Sequence, residues 1–87
     1  MEALRVLIVD DETELVTALT ERLSLRGFST TGVTTGEGAL ELLDGEPFEV
    51  VLLDVKMPGL GGLELIEPIK TRFSTVEVVL LLSLIHI

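Results

Sequence analysis

Strand-like runs alternate with segments of helical period along the whole chain, and this alternation constrains the fold more than any other feature. Arg5-Val6-Leu7-Ile8-Val9 is a continuous β-rich run, the pattern of a strand covered on both faces. It stops at Asp10-Asp11. Residues 12–26 follow, with Leu15, Ala18, Leu19 and Leu23 at helical spacing on one face. Gly27 is placed to end that helix as a left-handed residue just past the cap. Residues 28–33 read as a second strand, rich in Ser and Thr. Thr34 and Glu37 have capping-box spacing at the start of a short helix, whose inward stripe is Ala39, Leu40 and Leu43. Asp44-Gly45-Glu46-Pro47 is a turn cluster.

Val50-Val51-Leu52-Leu53 is another buried strand, and it too ends on an aspartate, Asp54. Residues 55–62 hold Pro58 and three glycines and read as a loop. Leu63, Ile66, Ile69 and Phe73 mark a third helix, with Pro68 placed to kink or restart it. Residues 76–82 form a fourth strand. The β-α-β-α-β-α-β order predicts an α/β domain with a parallel sheet, right-handed crossovers and helices on both faces. Ligands of such sheets bind outside the carboxyl ends of the strands, which is where Asp10, Asp11 and Asp54 fall.

Composition narrows the possibilities. The chain has 87 residues, the size of one small domain or a piece of one. Hydrophobic residues make up 47%, with a mean hydropathy of +0.59, which excludes a disordered acidic tail. Fifteen acidic residues against six basic give a net charge of −9, so direct nucleic-acid binding is not expected. No cysteine is present, and the single histidine, His86, cannot build a histidine zinc site. Met1-Glu2-Ala3-Leu4-Arg5 is not a basic stretch leading into a long apolar one, so no targeting segment is expected there. The most apolar stretch, residues 76–87, falls short of the ~20 residues of a membrane span. A cytoplasmic protein that does not enter a membrane is the expectation.

Three carboxylates at one sheet edge repel each other. Protonation offsets this by raising a pKa, and a divalent cation offsets it directly. An all-oxygen donor set suits Mg²⁺, which takes one or two carboxylates plus phosphate oxygens. A carboxylate beside it would be free to attack a phosphoryl group in line. The plainer alternative makes Asp11 a helix N-cap with Glu14 completing a capping box, and leaves Asp10 and Asp54 as solvated strand ends. It suits any one aspartate better than it suits the set.

Two segments carry a resemblance: Val6-Leu7-Ile8-Val9-Asp10-Asp11-Glu12 and Val51-Leu52-Leu53-Asp54-Val55-Lys56-Met57-Pro58-Gly59. With Gly62-Leu63-Glu64-Leu65-Ile66, they resemble the receiver domain of bacterial two-component response regulators. The resemblance implies a flavodoxin-like doubly wound sheet of strand order 2-1-3-4. It implies that Asp54 accepts a phosphoryl group from a sensor histidine kinase or phosphotransfer protein. It also implies that Asp10, Asp11, Asp54 and the backbone carbonyl of Lys56 hold Mg²⁺, with Met57, Pro58 and Gly59 shaping the loop. The phosphorylated domain would signal to an output domain or partner, which is not expected in this chain. It would be a switch rather than an enzyme, apart from its own phosphotransfer and dephosphorylation.

The match is expected to be incomplete. A complete receiver of this family has a fourth helix, a fifth strand with an active-site Lys and a fifth helix. The switch hydroxyl after strand four falls on Leu82, and Ser83 stands one place later, an offset that turns a strand side chain to the other face. Leu82-Ser83-Leu84-Ile85-His86-Ile87 resembles a translated transposon end from sequencing-library preparation. The expected division is therefore a truncated receiver over residues 1–81 and a non-native tail over 82–87. Strand four would then be an apolar, aggregation-prone edge.

Three other functions fit less well. A haloacid-dehalogenase-like phosphatase needs Asp-x-Asp where this chain has Asp10-Asp11-Glu12. A dinucleotide fold needs its glycines after strand one, whereas Gly32, Gly36 and Gly38 lie in or after strand two. A non-phosphorylated receiver-like interaction module, or a non-functional fragment, would not need the acidic set.

Overall fold

The computed structural model describes residues 3–57 and 62–81. Its elements are β1 (Arg5–Val9), α1 (Thr13–Leu25), β2 (Ser29–Val33), α2 (Gly36–Gly45), β3 (Val50–Asp54), α3 (Gly62–Arg72) and β4 (Glu77–Leu81). The strands form one parallel sheet of order β2-β1-β3-β4, the α/β flavodoxin-like arrangement. Among the described residues, no helix is long and apolar enough to cross a membrane.

Period-two alternation divides the core. Leu7, Val9, Val51 and Leu53 face α2 and α3, where Ala39, Leu43, Phe48, Leu65, Ile69 and Val76 close over them. Val6 and Ile8 face α1 and pack with Val16, with Val50 and Leu52 at the margin. The two central strands are thus apolar on both sides, which is why their sequences show no polar alternation.

Helix α1 presents a different stripe from the expected one. Val16 is buried, with Leu19 and Leu23 partly so, whereas Leu15 is 39% exposed and Ala18 is exposed. The cause lies on the neighbouring strand. A Cβ on Gly32 would sit 2.2 Å from Val16 Cγ1, so the glycine of β2 forms the seat for Val16 and sets the helix rotation. The C-terminus of α1 follows expectation. Gly27 has φ +98°, its N–H donates to Ser24 O, and Phe28 N–H donates to Leu23 O, the paired bonds of a Schellman motif.

Two further details differ. The N-cap of α2 is Thr35, whose Oγ1 accepts from Gly38 N–H at 3.0 Å, and not Thr34. In α3, Leu65 and Ile69 are buried and Leu63 is 64% exposed, so the inward stripe begins two residues later than expected. The helix runs through Pro68 without restarting. Lys70 Nζ donates to Val76 O at 3.1 Å and ties the end of α3 to the entry of β4. Among the described strands β4 is an edge, with Val79 and Leu80 substantially exposed.

Candidate functional site

Strand register assembles the site. Val9 of β1 pairs with Leu53 of β3, so the residues that follow, Asp10 and Asp54, stand at the same level at the carboxyl end of the sheet. Asp11 is the next residue after Asp10. One carboxylate oxygen from each of Asp10, Asp11 and Asp54 lies within 4.8 Å of the other two. Asp10 is 2% exposed and Asp54 5%, while Asp11 is exposed. The three predicted carboxylates therefore do converge, two on the floor of the site and one at its rim.

The backbone holds both buried carboxylates in the same way. Asp10 Oδ1 accepts from Glu12 N–H at 2.9 Å, and Asp54 Oδ1 accepts from Lys56 N–H at 3.2 Å. Each is an Asx-type bond to the residue two places on, which turns the chain as it leaves the strand. Sequence reading missed these two N–H groups, although an Asp that ends a strand before a turn is their usual signature. The capping alternative for Asp11 is not met: the N-cap of α1 is Glu12, without a side-chain cap bond. Among the described residues, Asp11 has neither a hydrogen bond nor an ion pair.

Electrostatics is unfavourable without a ligand. Burial pushes the Asp10 carboxyl above the ordinary carboxylate range. The Glu12 N–H bond pulls it down, and the negative charges of Asp54, Asp11 and Glu12 raise it further. Among the described residues, neither ion pair involves the cluster: they are Arg5–Glu46 and Arg72–Asp44. An uncompensated set of hard oxygen donors, with one member open to solvent, fits a divalent hard cation.

Lys56 leaves the strand on its bond to Asp54, and Met57 is partly buried against the core beneath α2 and α3. The other two loop residues singled out by sequence, Pro58 and Gly59, lie outside the described residues, as does Ser83.

Fold and acidic site define a receiver domain, and the chain belongs to that family: the model of the response regulator receiver domain matches residues 6–84. It is the receiver domain of a two-component response regulator, a class of signalling switches. The match runs three residues into the segment read as a non-native tail. The chain is 39% identical over 79 residues to response regulator protein FleR of Pseudomonas aeruginosa. That alignment covers 91% of this chain, which spans only 17% of FleR. The response regulator TrrA of Thermotoga maritima, solved in complex with Mg²⁺-BeF, superposes with a TM-score of 0.84 at 32% identity. It covers 92% of this chain and 68% of that one. TrrA in complex with the histidine kinase ThkA gives a TM-score of 0.86 at 32% identity, over 99% of this chain and 72% of that one.

Proposed function

We propose that this chain is a phosphoacceptor, and that Asp54 takes a phosphoryl group from the phosphohistidine of a sensor histidine kinase or phosphotransfer protein. The observation that carries the reading is the convergence of Asp10, Asp11 and Asp54 at one end of the sheet, with two of the three buried. The carboxylates of Asp10, Asp11 and Asp54 and the backbone carbonyl of Lys56 are the ligands for Mg²⁺. When bound, Mg²⁺ neutralises charge on the phosphoryl oxygens.

The chain's own residues do the rest. Asp54 supplies the attacking oxygen: an O–P bond forms as the P–N bond to the donor imidazole breaks, and that imidazole leaves with a proton. Lys56 N–H fixes the direction of the Asp54 carboxylate. Met57, packed against the core, is placed to steady the chain where Lys56 leaves the site. For a switch hydroxyl this reading has Ser83, one place past the expected position, which is Leu82. The added charge on Asp54 then biases a two-state rearrangement read by an output domain or partner. TrrA's complexes with Mg²⁺-BeF and with a histidine kinase support the reading. The acidic balance of the chain supports a domain that acts through protein partners and not by contacting nucleic acid or membrane, and its proposed place is the cytoplasm.

The test is labelling by acetyl phosphate with Mg²⁺, read as the mass gain of one phosphoryl group on the intact chain. Wild type is expected to be labelled, and the label to be lost with EDTA or with Asp54→Asn. Labelling that survives Asp54→Asn would overturn the assignment, as would a folded wild-type chain that takes no label.

A further inference from the structure

We draw no further inference here: the strongest candidate, the apolar sheet face beside α1 that carries Val50, Leu52 and Val79 and borders Leu19 and Leu23 of the helix, supports no proposal because nothing in the structure shows what covers it.

Discussion

Asp10 shows at one residue what the site costs the fold. Its carboxylate is buried among like charges, and a single backbone N–H offsets only part of that. The folded-state pKa therefore lies above the unfolded one. Between the two values the native chain keeps a proton that the unfolded chain has lost, so stability falls as pH rises through that window. Above that window, without divalent cations, the whole penalty is present. Asp10→Asn removes the charge and keeps an oxygen to accept from Glu12 N–H. It is expected to raise the thermal midpoint in EDTA at neutral pH, because it removes the cost of burying that charge beside Asp54 and Asp11. The gain should shrink as the pH approaches about 4, where the unfolded carboxylate also protonates. Melts followed by circular dichroism at both pH values decide it. A variant that melts below wild type at neutral pH would mean that the ionised carboxylate stabilises the fold.

At the scale of elements, two contacts set where helices sit. Gly32 lets α1 approach β2 until Val16 occupies the place a side chain would take. Gly32→Ala is expected to push α1 outward and to cost about 1–3 kcal/mol in urea unfolding, as overpacking does. Val16→Ala alone loses two buried methyl groups, roughly 1–2 kcal/mol. The double variant should cost clearly less than the sum, because the smaller side chain vacates the clash. Strict additivity would show that Gly32 acts through backbone freedom and not through this contact. At the start of α2, Thr35→Ala is expected to cost ~1 kcal/mol and Thr34→Ala much less, since only Thr35 caps the helix. Equal effects in the same unfolding assay would contradict the cap assignment. These contacts also explain what the sequence left hidden. Helical period identifies α1 as amphipathic but does not choose between Leu15 and Val16, because the choice is made by a glycine on another element. Spacing to Glu37 favoured Thr34. The residue that receives the cap is Gly38, where a Cβ would stand only 2.9 Å from Thr35 Oγ1.

The meeting of Asp10, Asp11 and Asp54 was legible because two apolar runs end on aspartate in a parallel α/β alternation, whereas the strand order came from the resemblance to receiver domains. The Asx-type bonds that aim Asp10 and Asp54 were not legible, since they depend on turn geometry. For the whole molecule, two electrostatic effects overlap and salt can separate them. A net charge of −9 makes the folded chain repel itself, and any salt relieves this, with a screening length of ~10 Å at 0.1 M. NaCl is therefore expected to raise the thermal midpoint of wild type and of Asp11→Asn by similar amounts. Asp11 suits the comparison because, among the described residues, it makes no hydrogen bond or ion pair whose loss would itself destabilise the fold. A specific cation site adds a second contribution that follows mass action and not ionic strength. At a free Mg²⁺ concentration tenfold above its dissociation constant, that contribution is ~1.4 kcal/mol. MgCl₂ at matched ionic strength should then raise the wild-type midpoint several degrees beyond NaCl, and Asp11→Asn should lose most of that excess. If MgCl₂ and NaCl act alike on wild type, the carboxylates are only part of a diffuse acidic surface, and the metal assignment falls. If the excess survives in Asp11→Asn, Mg²⁺ binds specifically but without the residue placed at the rim.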